Sequence, residues 1–519
     1  MIRSFLTVSV GTLASRLLGF ARDSMIAALL GAGPVADALL VAFQLVNVVR
    51  RLLTEGALNA ALVPAWLRVR ETGGAVAAAA FAGRILGTVS AALIAASAVI
   101  GLLMPLVVTA LAPGFAGHPT LQLAVDDARL MLPYLAFAGP VTVMMALLNA
   151  QARFALTAFS PLLFNIALIA VMGVLLGWRQ DAAHAALAIA ATVGVAGLLQ
   201  LLILLLRRGG SIATPLRISF DAAMRGFLGK AIPGMIASAS PQLLVVAGAV
   251  IASASPSAVS WLYFANRLIE LPLGIVGVAM GTVLVPELTR ALRGGDRTAV
   301  EEAESRGLEL AVGLALPATL GLIALGEPIV RMLFEHGAFT PADTAATARA
   351  LMWLALGLPA HVLVKALSPA FFARDDTLTP LMAALGGFAV ALVLSVVLGQ
   401  IFGPGGIAAS IALGAWSSAL AVIRRGAATF GFSIDAAARR RLPRIVAAAL
   451  AMGGLLWLAA SLAPALSANA HGLAQAAVLV MLISGAIAIY ALLLALFGVI
   501  RWDDAVNAAI RAKPGDLRD

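Results

Sequence analysis

The sequence has no cysteine, only five histidines and few charged residues for its length of 519. Without cysteine there are no disulfides, no thiol catalysis and no cysteine-ligated metal centres. The histidines are scattered and lack metal-ligand spacing, so we expect no metal site. Charged residues make up 12% of the chain, whereas hydrophobic residues make up 62%. A soluble domain of this composition would have too few polar residues to cover its surface, so the composition indicates a membrane protein.

Apolar stretches long enough to cross a bilayer as helices recur along nearly the whole chain. Such a span needs about 20 residues, and we count about 14 of them. The fold class that we predict is therefore an all-α polytopic membrane protein. The approximate cores are 5–30, 35–62, 83–111, 123–149, 157–177, 184–206, 225–251, 259–287, 309–334, 348–372, 379–401, 406–424, 444–465 and 474–499.

The loops between these spans alternate in charge. Basic segments lie at 68–70, 153, 207–225, 290–297, 374, 424–444 and 501–513. The intervening segments are nearly free of lysine and arginine, and lie at 31–36, 112–122, 252–258, 402–405 and 466–473. Because basic loops stay in the cytoplasm, this pattern predicts that both termini are cytoplasmic. The net charge of +10 then reflects membrane topology, and we expect no nucleic-acid partner.

An internal repeat joins the two halves at an offset of about 220 residues. Leu-Val-Pro at 62–64 is repeated at 284–286, and the arginine pair at 207–208 at 424–425. Six spans per unit is an even number, which predicts two parallel, pseudo-symmetric lobes with a substrate site between them. We therefore expect an N-lobe at 1–215, a C-lobe at 216–430, two additional spans at 431–500 and a cytoplasmic tail at 501–519.

Charged residues inside the predicted spans point to function. Span 1 carries Arg16, Arg22 and Asp23; span 2 carries Asp37, Arg50, Arg51 and Glu55; span 8 carries Arg267 and Glu270; and span 10 carries Lys365. A charge at the bilayer centre costs roughly 2.5–3.5 kcal/mol, so these side chains must pair or line an aqueous cavity. Structural pairing would join Arg51 with Glu55, Arg267 with Glu270, and Arg22 with Asp23 or Asp37.

The sign of the remaining charge indicates the class of substrate. Arg16 and Arg50 have no obvious carboxylate nearby, so positive charge remains after pairing. Surplus arginine favours anions, and phosphate above all, because the planar guanidinium donates two parallel hydrogen bonds. The sequence has no nucleotide-binding or hydrolase motif, and we expect no enzymatic activity and no catalytic residues. The acidic pairs 126–127 and 375–376 are typical of solvated loop edges.

Several segments together resemble the MurJ (MviN) family of lipid II flippases. They are SRLLGFARDSMIAALLGAG at 15–33, ADALLVAFQLVNVVRRLLTEGALNAALVPAW at 36–66, LAPGF at 111–115 and SWLYFANRLIELPLGIVGVAMGTVLVPEL at 260–288. The resemblance covers spans 1 to 12 in order and is weaker in spans 13 and 14. Gln44 and Val46 depart from it, since relatives often have lysine and proline there.

The resemblance implies a fold of the multidrug/oligosaccharidyl-lipid/polysaccharide exporter type in the bacterial inner membrane. It also implies that spans 13 and 14 form a groove for a polyprenyl tail. The implied substrate is lipid II, flipped by alternating access, with Arg16, Arg22, Arg50, Arg51 and Arg267 binding its pyrophosphate. Asp23, Asp37, Glu55, Ser260 and Glu270 would support or gate that site. Expected partners are membrane lipids and the cell-wall synthesis machinery.

Other interpretations stay open at this point. The same architecture also suits a flippase for another polyprenyl-pyrophosphate oligosaccharide, such as an O-antigen or capsule precursor. A cation-coupled drug exporter would need unpaired carboxylates and typically has 12 spans. A glycosyltransferase or polymerase acting on the lipid would need a catalytic carboxylate in a sizeable outer loop. We expect no organic cofactor, and the driving force is open between a monovalent cation and the membrane potential.

Overall fold

A computed structural model gives the fold of the chain. It describes residues 2–499 except 55–56, 152, 179, 207–212, 214–215, 239–245, 247, 281–283, 295, 373, 375, 432–433, 463–471.

The described part of the chain consists of α-helices, one short 3-10 turn and brief connections. The helices are α1 (Ile2–Leu30), α2 (Pro34–Thr54), α3 (Ala57–Leu102), α4 (Met104–Leu111), α5 (Pro119–Ala150), α6 (Phe154–Trp178), α7 (Ala182–Leu206) and α8 (Ala222–Ser238). They continue as α9 (Ala258–Ala279), α10 (Val285–Gly294), α11 (Arg297–Phe334), α12 (Pro341–Phe372), α13 (Leu378–Phe430), α14 (Ala436–Leu462) and α15 (Leu473–Leu496). The all-helical prediction is confirmed.

The helices coincide with the predicted spans. Among the described residues, nine helices are long and apolar enough to cross a membrane: α3, α5, α6, α7 and α11 to α15. Predicted spans 1, 2 and 8 coincide with α1, α2 and α9, which carry most of the intramembrane charges. Helix α8 forms the first part of predicted span 7, and much of the remainder lies outside the described residues. Helices fill the bilayer because they satisfy every backbone hydrogen bond within one segment. The chain is a multi-pass membrane protein.

Two long helices, α3 and α13, are each interrupted by one glycine with non-helical backbone angles. Gly403, with φ 57°, separates the two halves of α13, which correspond to predicted spans 11 and 12. Gly74, with φ 76°, interrupts α3 in the same way. Both conformations lie in the left-handed region, which glycine adopts without the steric penalty of a Cβ atom. The prediction of a loop at 68–70 is wrong, because these basic residues are part of helix α3 ahead of Gly74.

Pro272 in span 8 is a residue type that often kinks or ends a helix, but no break occurs there. Helix α1 runs without interruption from Ile2 to Leu30, and α9 runs through Pro272 to Ala279. Proline removes one backbone hydrogen bond, but its fixed φ is close to the helical value, so a helix held by neighbours can continue past it.

The basic connections at 287–309 and 424–444 are mainly helical in their described residues. Helix α10 and the start of α11 cover the first connection, where Leu288 is buried and Arg290 exposed. The end of α13 and the start of α14 cover the second.

The chain divides into two compact units. The first comprises Met1–Tyr263 with Phe334–Asp343, and the second comprises Phe264–Leu333 with Thr344–Asp519. In the first unit, α5 packs against α2, α3 and α7, and α1 packs against α6. In the second, α14 packs on α15, and Leu325 of α11 shares a core with Met452 and Leu479. The predicted division into two six-span lobes stays a prediction, although α5 and α12 have the same length of 32 residues.

Candidate functional site

Arg22 is the most enclosed of the arginines predicted to bind substrate. This residue of α1 is only 7% exposed, and its guanidinium binds the fully buried Asp23 carboxylate at 2.6 and 2.9 Å. The guanidinium also lies 4.8 Å from the ring centre of Phe43 and 5.9 Å from that of Phe164. The pairing with Asp23 that the sequence suggested is confirmed, while Asp37 binds elsewhere.

Asn165 of α6 extends this cluster to the neighbouring helix. Its side-chain oxygen accepts a hydrogen bond from Arg22 at 3.2 Å, and its amide nitrogen donates to the Ser15 carbonyl at 3.2 Å. Tyr263 donates to Asp23 at 3.3 Å. A buried guanidinium is stable only when charge and hydrogen bonds compensate its lost hydration, and these partners supply both. Arg22 therefore joins α1, α2 and α6.

Asp37 binds the N-terminal end of α9. It does not bind an arginine among the described residues. Its carboxylate, 2% exposed, accepts hydrogen bonds from the Ser257 N–H at 2.8 Å and the Ser260 N–H at 2.9 Å. The Ser260 hydroxyl donates a third bond at 2.5 Å. A carboxylate at a helix N-terminus satisfies free N–H groups and lies at the positive end of the helix dipole. Asp37 and Ser260 thus bind each other and connect α2 to α9.

We expect Asp37→Ala to lower the free energy of unfolding by about 2 kcal/mol, because three hydrogen bonds to a charged group are lost at a helix start. Ser260→Ala removes one of the three and is expected to have a smaller effect, about 1 kcal/mol. Thermal unfolding of both variants in detergent measures this. An Asp37→Ala variant as stable as the parent would contradict the proposed anchoring of α9.

The remaining arginines of the first unit are more accessible. Arg16 is partly exposed and forms no ion pair or hydrogen bond with another described residue. Arg50 is partly exposed and donates to Asn47 at 3.4 Å. Arg51 is also partly exposed, and its predicted partner Glu55 lies outside the described residues. Arg16, Arg50 and Arg51 are thus the predicted arginines of this unit that stay accessible.

The second unit contributes an ion pair on α9. The Arg267 guanidinium lies 2.8 Å from the Glu270 carboxylate, and both side chains are about a quarter exposed. The two residues are three apart, which places their side chains next to each other on a helix. The pairing that the sequence suggested is confirmed, so Arg267 presents a charge that is partly compensated by Glu270.

The acidic pairs behave differently from each other. Asp126 accepts a hydrogen bond from Gln122, but Asp127 is buried at 2% exposure, so the expectation of a solvated pair is wrong for Asp127. Asp376 accepts a hydrogen bond from the Thr379 N–H at the start of α13. Hydrogen bonds from Thr379 lower the pKa of Asp376, which keeps the carboxylate ionised. Asp375 lies outside the described residues.

Sequence reasoning missed the neutral partners of Arg22. Asn165 is buried at 6% exposure within an apolar helix, and a lone amide in such a run is a signal for a buried hydrogen bond. Phe43 and Phe164, whose rings are 6.1 Å apart, look like ordinary core residues in the sequence. Their role depends on which helices are neighbours, and a single sequence does not provide that information.

Comparison with known proteins identifies the family. The family model described as "Lipid II flippase MurJ" matches residues 26–497. A probable lipid II flippase MurJ of Rhizobium meliloti is 38% identical over 495 residues, covering 94% of this chain and 92% of that protein. The lipid II flippase MurJ of Burkholderia cenocepacia is 34% identical over 473 residues, covering 88% of this chain and 90% of that protein.

Solved structures agree on the fold. A lipid II flippase MurJ in an inward closed conformation matches with a TM-score of 0.78 at 21% identity, covering 96% of this chain and all of that chain. An inward-facing multidrug resistance MATE family transporter of the MOP superfamily matches with a TM-score of 0.66 at 13% identity, covering 85% and 98%. The exporter-type fold that the resemblance implied is confirmed. Since the family model covers most of the chain and close relatives match along nearly their whole length, this protein belongs to the lipid II flippase MurJ family.

Proposed function

We propose that this protein translocates lipid II, the undecaprenyl-pyrophosphate-linked disaccharide-pentapeptide, from the inner to the outer leaflet of the bacterial cytoplasmic membrane. The observation that carries the proposal is family membership combined with accessible arginines inside membrane helices. Arg16 and Arg50 are accessible cationic side chains inside membrane helices, which an electrically neutral substrate would not need. An anionic lipid whose phosphates enter the membrane with it fits that charge.

The arginines divide into two groups within this proposal. Arg16, Arg50, Arg51 and Arg267 are partly exposed and would contact the pyrophosphate. Arg22 is buried among Asp23, Phe43 and Asn165, so it would support the site by fixing α1 against α2 and α6. Glu270 would orient Arg267 and prevent binding that is too tight for release. Glu55 would do the same for Arg51.

The polyprenyl tail would lie against the two C-terminal spans. A small, mainly apolar cleft between α11, α14 and α15 is lined by Leu325, Pro328, Ala460, Leu479 and Leu482, with Gln475 as its polar member. Many large apolar side chains of α14 and α15 are exposed, including Trp457 and Met481. An isoprenoid chain needs an apolar path and no polar partners, and this surface meets that need.

Both termini would face the cytoplasm, which follows from the distribution of basic segments. With that orientation, rocking of the two halves would expose the head group outside while the tail stays in lipid. Membrane potential would drive the step, since moving one charge is worth about 2.3 kcal/mol per 100 mV. A monovalent cation is the alternative driver, and cell-wall synthesis enzymes are the expected protein partners.

The direct test reconstitutes the protein in liposomes and follows labelled lipid II together with a lipid-linked sugar that lacks phosphate. We expect lipid II to cross and the phosphate-free lipid to stay in its leaflet. Arg50→Ala should abolish lipid II movement and growth of a flippase-depleted strain, while Arg68→Ala, an exposed arginine of α3, should leave both unchanged. Growth supported by Arg50→Ala at normal expression would contradict the proposed site.

The alternative substrate needs its own comparison. A flippase for an O-antigen or capsule precursor would move that polyprenyl-pyrophosphate oligosaccharide in the same liposomes and leave lipid II in place. Equal transport of both lipids would show that the protein recognises the pyrophosphate and tail without selecting the head group.

A further inference from the structure

Lys365 is a second intramembrane cation of the C-terminal unit and has no part in the site described above. It lies in α12, and its side chain is exposed although Val362, Leu363, Ala366 and Leu367 around it are buried. An ammonium group facing lipid would be strongly disfavoured. An exposed lysine in a buried stretch of a membrane helix therefore faces water.

The lysine side chain lies across α9 at Gly277. A Cβ atom added at Gly277 would be 2.6 Å from the Lys365 Nζ and 2.9 Å from its Cε. These distances are shorter than van der Waals contact, so any larger residue at 277 would push the ammonium away. Glycine at this position leaves the space that the lysine occupies.

Gly277 is on the same face of α9 as Glu270. The two residues are seven apart, which is close to two helical turns, and the rise of 1.5 Å per residue separates them by about 10 Å. Glu270 in turn binds Arg267 at 2.8 Å. The Lys365 ammonium therefore lies about 10 Å further along α9 than Glu270 and about 15 Å further along than Arg267.

We propose that Lys365, placed by Gly277, is a second phosphate-binding contact for the polyprenyl-pyrophosphate substrate, on the face of α9 that carries Glu270, the partner of Arg267. The inference rests on the proposed function for the identity of that substrate. With the orientation proposed above, Lys365 is on the cytoplasmic side of Arg267, so the pyrophosphate meets the lysine first. Lysine suits a transient contact, because its ammonium is a point charge that does not require the fixed two-bond geometry of arginine.

The test measures binding of undecaprenyl pyrophosphate to the purified full-length protein in detergent, with undecaprenol as the uncharged probe. We expect Lys365→Met to weaken binding of the pyrophosphate about tenfold, the loss of one charge-assisted contact, with no change for undecaprenol. The affinity should also depend less steeply on salt in Lys365→Met. Lys365→Arg should recover part of the affinity.

Gly277→Ala provides a second variant that keeps the lysine but displaces it. We expect it to weaken pyrophosphate binding in the parent and to have no further effect when combined with Lys365→Met. Gly321→Ala in α11 is the matched control, because an added Cβ there meets nothing within 4 Å. Parent-like affinity and salt dependence in Lys365→Met would overturn the proposal. So would equal losses of affinity and thermal stability in both Lys365→Met and Lys365→Arg, which would mark a structural lysine.

These measurements separate the inference from the proposed function. If the parent binds undecaprenyl pyrophosphate but does not move lipid II, the proposed function fails, and the Lys365 variants still decide the binding contact. If the parent does not bind undecaprenyl pyrophosphate, both proposals are wrong.

Discussion

Replacing Arg16 with alanine is expected to reduce lipid II translocation by roughly ten- to a hundredfold, the loss of one or two charge-assisted hydrogen bonds. Thermal stability should stay at the parent value. Arg16 is partly exposed and binds no other described residue, so the fold loses no partner when it is removed. Removing a charge from a membrane helix also removes its insertion cost. Liposome translocation and thermal unfolding of the same preparation measure the two effects.

Two controls accompany Arg16→Ala. Arg16→Lys keeps the charge but loses the two-bond geometry, so we expect intermediate transport. Arg129→Ala removes an exposed arginine of α5 and should transport like the parent. A stable Arg16→Ala protein with parental transport would remove Arg16 from the substrate site. A destabilised one would show that Arg16 has a structural role.

Replacing Arg22 with alanine is expected to destabilise the protein by about 3–5 kcal/mol, because the change leaves the buried Asp23 carboxylate without its ion-pair partner. Asp23 is 0% exposed and lies 2.6 Å from the guanidinium. The contacts with the rings of Phe43 and Phe164 and the hydrogen bond to Asn165 are lost as well. A large decrease in unfolding temperature, with a matching decrease in expressed protein, should be observed.

The double variant Arg22→Met with Asp23→Asn identifies the cause. Both charges are then absent, so the cost of a buried unpaired carboxylate disappears and stability should recover much of the loss. Arg22→Met alone should resemble Arg22→Ala. If the double variant is no more stable than Arg22→Met, the aromatic and amide contacts, rather than the ion pair, stabilise this cluster.

Together these two changes separate transport from folding on one helix. Arg16 and Arg22 are six residues apart on α1, which places them about 120° apart around the helix axis. One side chain is accessible, and the other is enclosed by α2 and α6. A loss of transport in Arg22→Ala therefore needs correction for the amount of folded protein before it is attributed to substrate binding.

The sequence by itself determined the class of the protein and the positions of its helices. Apolar runs of about 20 residues must become helices in a bilayer, because no other single segment satisfies its own backbone hydrogen bonds there. The intramembrane arginines and the pairs Arg22–Asp23 and Arg267–Glu270 were also evident, because each pair is separated by only one or three positions in the chain. Short separations restrict the geometry, so local pairing is predictable.

Only the tertiary structure decided which charged side chains are buried and which groups each of them binds. Asp37 was a candidate partner for Arg22, but its carboxylate binds the backbone of Ser257 and Ser260, more than 200 positions away in the chain. Nothing in the sequence distinguished Gly277 from other membrane glycines until the Lys365 side chain was found across it. Burial and long-range contact depend on which helices are neighbours, and many helices have apolar faces that would pack equally well. A single sequence therefore predicts the spans and their charges, while the distinction between an accessible Arg16 and an enclosed Arg22 comes from packing.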